Sequence, residues 1–187
     1  GRFSKKYPRI KINLQIVQRR EVGVASRSMH YDMGFTAIPF DFPNLAVRRT
    51  FTMPARALIP TSHRLATRRA ISIRDFEGEN LIMLTKDNSI RPKLELELLK
   101  ANISFASTME TSSPIVAYKL VSQGLGLSVV DPFSPMVMNS DEVANLRLNG
   151  DISLTYGFFF PERKPVSRLC EDFMLILGDI VQAYGQN

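Results

Sequence analysis

The chain has 187 residues, of which 44% are hydrophobic and 22% are charged, ordinary values for a soluble globular protein. This length corresponds to one large domain or two small ones. A single cysteine excludes an internal disulfide framework, and no apolar run approaches the roughly 20 residues that span a bilayer. The first residues lack the apolar core of a signal peptide.

Charge is divided unevenly along the sequence. Residues 1–74 hold 15 Lys or Arg and 3 Asp or Glu, a local charge of +12, whereas residues 75–187 hold 9 and 15, a charge of −6. Such asymmetry is typical of a nucleic-acid surface, an acidic ligand site or pairing between subunits. An ordinary solvated basic surface explains it equally well. Trp is absent, and most Phe and Tyr residues lie in apolar runs, which argues against base stacking on nucleic acid.

The first half of the sequence predicts mainly short strands. Residues 10–17 alternate apolar and polar side chains, which indicates a strand with one polar face. Such a strand lies near a sheet edge or at a subunit contact, because a central strand is apolar on both faces. The other elements expected here are a short helix over 21–28, strands over 31–35, 45–53 and 55–59, and one helical turn over 72–78.

Strands alternate with helices in the second half. Ser89 is placed to cap a helix that ends at Lys100, and Ser113 before Pro114 is a similar helix start. The other expected elements are strands over 81–84, 103–109, 125–130 and 152–160, a helix over 114–123 and a long final helix over 165–184. This alternation predicts an α/β fold with largely parallel strand pairing.

Signals for catalysis and metal binding are weak. His30, His63 and Cys170 lie far apart and lack the spacing of zinc ligands. Cys170 falls on the inner side of the final predicted helix, where a small buried side chain is expected. The sequence holds no nucleophile-elbow, zinc-protease or phosphate-loop motif. We therefore expect no catalytic residue, no metal site and no cofactor.

Small polar or basic residues follow three predicted strands, in residues 18–20, 85–89 and 110–113. In open α/β sheets the carboxyl ends of the strands form the ligand-binding crevice. The N–H groups of helix starts at that edge bind carboxylates or phosphates. Plain capping of the next helix explains each segment taken singly. Their recurrence at three strand ends predicts an anion-binding cleft.

Five motifs also occur in a fixed order along the chain. They are residues 3–12 (FSKKYPRIKI), 31–35 (YDMGF), 57–65 (ALIPTSHRL), 71–79 (ISIRDFEGE) and 121–130 (VSQGLGLSVV). This ordered set resembles the effector-binding domain of LysR-type transcriptional regulators over nearly the whole chain. Residues 75–80 and 129–132 are most similar to the subgroup that senses diaminopimelate or opines, which implies an amino-acid-like ligand.

The resemblance implies two Rossmann-like subdomains joined by two crossover strands, as in type 2 periplasmic binding proteins. Residues 1–83 and 157–187 would form subdomain I, residues 84–156 would form subdomain II, and the inducer would lie in the cleft between them. Relative to the family, the sequence lacks the winged helix-turn-helix, the first strand of the sensing domain and most of its first helix.

The strand-end loops and the resemblance together give a candidate site for a small carboxylate. Ser112 and Ser113 would bind its carboxylate, with Ser89 and Thr85 as further donors. Asp131 either receives an ammonium group or caps the turn that follows it. The complete set of candidate ligand-binding residues is Gln18, Thr36, Thr85, Lys86, Ser89, Ser112, Ser113 and Asp131.

The implied function is that of a cytoplasmic ligand sensor with no catalytic step and no membrane contact. Ligand binding changes function only if it favours one arrangement of the subdomains over another. Family members form homodimers and homotetramers and contact DNA through the helix-turn-helix that is absent here. The alternatives are a secreted solute-binding protein of a transporter, an enzyme on a similar scaffold, and direct DNA binding by the basic first half.

Overall fold

The computed structural model describes residues 1–17, 22, 31–39, 44–138, 141–162 and 164–185. The chain divides into unit 1, formed by Gly1–Thr52 and Thr155–Asn187, and unit 2, formed by Met53–Leu154. Both units combine helices with β-sheet, as the α/β prediction requires. The helix expected over residues 21–28 lies outside the described residues, except for Val22, which is helical and buried.

Unit 1 contains a three-stranded sheet and the longest helix of the described chain. Its elements are α1 (Arg2–Lys6), β1 (Gly34–Ile38), β2 (Leu45–Pro54), β9 (Ser153–Pro161) and α5 (Arg168–Gly185). The strands lie in the order β1-β9-β2, and β1 runs antiparallel to β9. The chain passes from one unit to the other within β2 and β9.

Aromatic packing holds the short helix α1 against α5. Phe3 is buried, and its ring centroid lies 4.9 Å from that of Tyr7 and 5.1 Å from that of Phe173. The Tyr7 hydroxyl donates to the Asp172 carboxylate, and the Lys6 ammonium lies 3.3 Å from the same group. Five residues are too few for a stable isolated helix. These contacts therefore account for α1.

The strand predicted over residues 10–17 is not formed. Residues 11–17 have no regular secondary structure, and the apolar side chains of Leu14 and Ile16 are 79% and 102% exposed. Alternation makes a segment compatible with a sheet, but backbone hydrogen bonds require a neighbouring strand. No strand within the described ranges pairs with this segment.

The described strands of unit 2 are β3 (Arg56–Pro60), β4 (Ala70–Ser72), β5 (Asn80–Leu84), β6 (Ala106–Thr111), β7 (Ser128–Val130) and β8 (Val143–Asn149). Four of them form a sheet in the order β4-β8-β3-β7, with β5 and β6 as a further pair. A parallel bridge between Leu81 and Leu127 joins β5 to β7, so β5 lies between β7 and β6. The helices are α2 (Arg91–Lys100), α3 (Pro114–Ser122) and α4 (Ser134–Val137), with a 3-10 turn over Ile73–Phe76.

Strand directions are mixed, which corrects the expectation of largely parallel pairing. β5 is parallel to β6 and β4 is parallel to β8, but β3 is antiparallel to both β7 and β8. Parallel neighbours need a crossover, usually a helix. β3 follows β2 where the chain enters unit 2, and β8 precedes β9 where the chain leaves it. β3 and β8 run in opposite directions in the sheet.

The first boundary between the units differs from the expected one at residue 83. Residues 53–83 belong to unit 2, because β3 pairs with β7 and β8 and because β5 pairs with β6. The second boundary, expected after residue 156, falls after Leu154. Long-range pairing decides which unit a strand joins, and that information is not local to the strand.

The core of unit 2 lies between α3 and the sheet. Leu58 of β3, Ile82 and Leu84 of β5, Val130 of β7 and Tyr118 of α3 are buried in one cluster. β5 is apolar and buried from Leu81 to Leu84 and has a neighbouring strand on each side, as expected for a strand covered on both faces. The core therefore holds β5 in place, and with it the loop that follows Leu84.

The predicted helical turn after residue 72 forms as a 3-10 turn with a capping box. The Ser72 N–H and hydroxyl donate to Asp75 Oδ2 over 2.7 and 2.9 Å, and Arg68 donates to Asp75 Oδ1 over 2.5 Å. Burial alone raises the pKa of Asp75, but these hydrogen bonds and the Arg68 charge hold the pKa below its ordinary value.

Gly126 lies at the junction of β5 and β7. Its φ is +155°, and a Cβ built on it would lie 2.5 Å from the carbonyl oxygen of Asn80. That oxygen accepts from the Leu127 N–H at 2.9 Å, and the Leu127 carbonyl in turn accepts from the Ile82 N–H at 2.8 Å. Close approach of the two backbones thus requires glycine here.

Candidate functional site

The carboxyl ends of β5, β6 and β7 lie at one edge of the unit 2 sheet, because β5 is parallel to both neighbours. The β5 and β6 ends are directly linked: Leu84 pairs with Thr111, and the Thr85 N–H donates to the Thr111 carbonyl at 3.1 Å. The segments that follow are residues 85–90, residues 112–113 and residues 131–133. We call this set the strand-end edge.

The β6–α3 connection carries Ser112 and Ser113. Ser113 caps α3: its Oγ accepts from the Val116 N–H at 3.4 Å, and its own N–H donates to Thr111 Oγ1 at 3.1 Å. The predicted cap before Pro114 is confirmed. Ser112 is exposed, and its hydroxyl has no hydrogen-bond partner within the described part of the chain. Ser112 is therefore an exposed hydroxyl at this edge that makes no hydrogen bond within the described fold.

The β5–α2 connection carries Thr85, Lys86 and Ser89, but its capping differs from the prediction. Asn88 Oδ1 accepts from the Ile90 N–H at 2.9 Å, and the residue at the N-cap position, Ile90, makes no side-chain cap. Ser89 is therefore not the helix cap, because the helix begins two residues later, at Arg91. Lys86 is exposed, and Thr85 and Ser89 are half-buried at the same edge.

Asp131 follows β7 and has the second of its two predicted roles. Its Oδ1 accepts from the N–H groups of Phe133 and Ser134, each at 2.9 Å, and its Oδ2 accepts from the Ser134 hydroxyl at 2.5 Å. Both carboxylate oxygens thus cap the turn into α4. The structure gives Asp131 a structural task at the edge, on the opposite side of β5 from Ser112 and Ser113.

The two remaining candidates, Gln18 and Thr36, belong to unit 1. Gln18 lies outside the described residues. Thr36 is not in a loop: it lies in the middle of β1, opposite Gly157, and is half-buried. The expectation that Thr36 lies in the loop after a strand over residues 31–35 is wrong, because β1 begins and ends three residues later.

Arg91 was missed by the sequence reasoning. Its side chain is only 10% exposed, and its Nη1 donates to the Leu84 carbonyl at 2.7 Å and to Glu110 Oε2 at 2.9 Å. Its Nε donates to Glu95 Oε1 at 2.6 Å. Burial alone lowers the pKa of Arg91, but the hydrogen bonds to the two carboxylates raise it above its ordinary value. The spacing of Arg91 and Glu95 was the available sequence signal.

His63 and Cys170 lie elsewhere. In unit 2, His63 Nε2 lies 3.3 Å from Glu79, and the Arg64 guanidinium donates to the same carboxylate. In unit 1, Cys170 borders a cavity of about 30 Å³ beside Lys164, room for about one water molecule and not for a metabolite. Within the described residues no group of three His, Cys, Asp or Glu side chains is placed to hold a metal ion.

This architecture defines the class of protein: an α/β domain of two units, with hydroxyl and amide groups of unit 2 brought together where its parallel strands end. The chain belongs to the LysR substrate binding domain family, whose model matches residues 1–181. The resemblance inferred from the five motifs is thereby confirmed. In the part of the chain that the structure describes, none of the helices combines the length and the apolar character that a membrane span needs.

Curated relatives of the chain are transcriptional regulators. The regulatory protein NocR of Agrobacterium tumefaciens strain T37 is 26% identical over 176 residues, which cover 94% of this chain and 59% of NocR. The transcriptional activator LysR of Escherichia coli K12 is 22% identical over 171 residues, which cover 91% of this chain and 55% of LysR. The chain thus spans a little over half the length of these relatives.

Solved structures share the fold. The regulatory domain of CcmR from Synechocystis PCC6803, solved in complex with 2-PG, superposes with a TM-score of 0.77 at 18% identity, covering 96% of this chain and 88% of that one. The effector binding domain of QuiR in complex with shikimate gives 0.71 at 15% identity, covering 99% and 87%. At these identities the likeness shows the fold, which is that of LysR regulatory domains and similar to type 2 periplasmic binding proteins.

Proposed function

We propose that this chain is the ligand-sensing domain of a bacterial LysR-type transcription regulator, and that the strand-end edge of unit 2 binds the carboxylate of a small, amino-acid-like ligand. The observation that carries the proposal is the Thr85–Thr111 hydrogen bond, which joins the ends of β5 and β6 and so brings two loops of hydroxyl and N–H donors together. Shikimate, a carboxylate, is bound by the related domain of QuiR.

Within this site, Ser112 is the expected donor to the ligand, because its hydroxyl is exposed and carries no described contact of the fold. Thr85, Ser89 and Lys86 line the same edge, and Lys86 adds a positive charge. Ser113 supports the site as the cap of α3. A hydrogen bond between a neutral donor and a carboxylate contributes about 1.5–3 kcal/mol, so one such donor changes affinity about tenfold or more.

No catalytic step is part of the proposal. The hydroxyls of Ser113 and Ser134 bond to a backbone N–H and to a carboxylate, respectively, and not to a histidine that would act as a base. His63 pairs with Glu79 near the amino end of β5, away from the strand-end edge. We expect the purified chain to bind its ligand without converting it, which mass spectrometry of the recovered ligand checks.

A thermal-shift screen tests the ligand class. The panel contains diaminopimelate, nopaline, lysine and shikimate, each with a matched analogue whose carboxylates are amides. A ligand at about 100 times its Kd stabilises the native state by about 2.7 kcal/mol, which raises the Tm of a chain of this size by about 5–11 °C. Stabilisation by amides as strong as by acids, or by another metabolite class alone, would contradict the proposal.

The Ser112→Ala variant tests the site. We expect it to lower the affinity for the best carboxylate about tenfold while leaving the Tm of the free protein within about 1 °C. The matched control is Ser107→Ala, an exposed serine near the other end of β6, which should change neither quantity. Equal affinities of the two variants would place the carboxylate elsewhere.

We further propose that this chain is part of a longer protein, which acts in the cytoplasm as a homodimer or homotetramer and contacts DNA through another part. The charges of +12 and −6 in the two halves of the sequence support head-to-tail pairing, although exposed charges mainly steer association. Mass photometry at low and high salt tests the assembly, and a strict monomer at low salt contradicts it. Tight, steeply salt-dependent duplex binding by this chain alone would contradict the assignment of DNA contact to another part.

A further inference from the structure

Arg91 occupies a position that the proposed function does not use directly. Its guanidinium is buried at the first residue of α2 and reaches the last residue of β5 and the penultimate residue of β6. One planar group thus ties three elements together just behind the strand-end edge. Arg is suited to this task because its fork of donors is rigid and always charged.

The contacts of Arg91 are next to those of the site. Leu84 precedes Thr85, and Glu110 is followed by Thr111 and Ser112. Nη1 donates to both the Leu84 carbonyl and the Glu110 carboxylate, so a single nitrogen sets the separation of the two strand ends. Beyond the paired residues, the Thr85 N–H also links the two strand ends by donating to the Thr111 carbonyl.

The exposure of Arg91 and of its three hydrogen-bond partners shows which of them depends most on the Arg91 guanidinium. Glu95 and Glu110 keep 41% and 47% of their side-chain surface exposed, whereas the Arg91 side chain keeps 10%. Leu84 is buried, and its carbonyl is a strong acceptor that needs a donor. Removing the guanidinium leaves that carbonyl without this donor, while both carboxylates turn to water.

We infer that Arg91 is a positioning residue: it holds the ends of β5 and β6 at the spacing that the carboxylate-binding loops require, without contacting the ligand itself. This inference rests on the proposed function for its purpose, but its physical content is a property of the ligand-free chain. The role of Arg91 can therefore be tested on the ligand-free chain, before any ligand is known.

Amide hydrogen exchange, followed by NMR, is the measurement. In Arg91→Met we expect the Thr85 amide to exchange at least about tenfold faster, while the Ile82 amide, which bonds to Leu127 on the other side of β5, keeps its rate within about twofold. The control is Lys100→Met, which removes an exposed ion pair with Glu97 at the other end of α2 and should leave both amides unchanged.

A second variant covers the case in which Arg91→Met does not fold. Glu110→Gln keeps the side chain's size but removes the charge that Arg91 holds on β6, and we expect the Thr85 amide to exchange about threefold faster, with Ile82 again unchanged. An unchanged Thr85 rate overturns the inference. Equal acceleration of Thr85 and Ile82 also overturns it, because Arg91 would then be a general stabiliser of unit 2.

The two proposals fail separately. If no carboxylate binds but the Thr85 amide responds as expected, the proposed ligand is wrong and the bracing role stands. If a carboxylate binds, and neither Arg91→Met nor Glu110→Gln changes the exchange of Thr85, the site stands and the bracing role is wrong.

Discussion

Substitution of Gly126 by alanine tests whether close backbone contact joins β5 to β7. The added methyl would lie 2.5 Å from the Asn80 carbonyl oxygen and 3.3 Å from its carbon. Both atoms belong to the backbone, so no side-chain rotation relieves the clash. The φ of +155° is itself one that L-residues rarely adopt.

The expected cost has two parts. An unfavourable backbone conformation costs about 1–3 kcal/mol, and displacement of the Asn80 carbonyl weakens its hydrogen bond from Leu127, worth about 1 kcal/mol. We expect a total of about 3 kcal/mol in the free energy of unfolding, which lowers the Tm of a chain of this size by about 6–12 °C.

Gly124 provides the matched control two residues away. It also has a positive φ, +73°, but a Cβ there meets no atom within 4 Å. Gly124→Ala should cost only the left-handed penalty of about 1 kcal/mol, or about 2–4 °C in Tm. Circular dichroism gives both Tm values, and exchange of the Ile82 amide reports the junction itself.

Equal losses of stability in the two variants would refute this reasoning, because they would show that backbone conformation and not close contact limits both positions. A Gly126→Ala variant as stable as the parent would refute the close approach of β5 and β7 altogether.

Two further substitutions test the 3-10 turn and the docking of α1. Asp75→Asn should lower the free energy of unfolding at pH 7 by about 1 kcal/mol, the usual worth of a cap; because the folded pKa of Asp75 is depressed, the contribution is present above about pH 4 and is lost as the pH falls through the folded value. Urea unfolding should therefore show a difference in the free energy of unfolding between the parent chain and Asp75→Asn that is smaller at pH 3 than at pH 7. An equal difference at the two pH values would contradict this role of the Asp75 carboxylate. Phe3→Ala should speed exchange of the Tyr7 amide, which bonds to the carbonyl of residue 3, by about tenfold or more, whereas Lys5→Ala, on the exposed side of the same helix, should not; equal rates in the two variants would mean that the Phe3 ring does not hold α1.

Local signals sufficed where a segment's own chemistry determines its structure. The apolar run of β5 and the Ser113–Pro114 helix start were both predicted, because burial on two faces and capping depend on residues within a few positions. The fate of residues 10–17 was not, because a sheet needs a partner that alternation does not supply. Likewise, residues 53–83 join unit 2 through pairing with distant strands.

In the candidate site, too, some features follow from local sequence and others depend on distant residues. The strand-end loops follow from strand order, yet Arg91 escaped notice because two of its three partners lie 7 and 19 residues away. One of the two segments that suggested an amino-acid-like ligand, residues 75–80, has fold tasks in the structure: Asp75 caps a turn, and Asn80 donates to the Leu125 carbonyl at 2.7 Å. These residues lie toward the amino end of β5, at the opposite end of the strand from the proposed carboxylate site.

The strand-end edge contains residues that cap helices or turns and residues that are simply exposed, and this difference has a practical consequence for biosensor engineering. Asn88, Ser113 and Asp131 hold the helix and turn starts in place, so a library that varies them would mix misfolded clones with informative ones. Lys86 and Ser112 are exposed at the same edge. Randomising these two codons while the three caps stay fixed would search new ligand preferences on an intact scaffold.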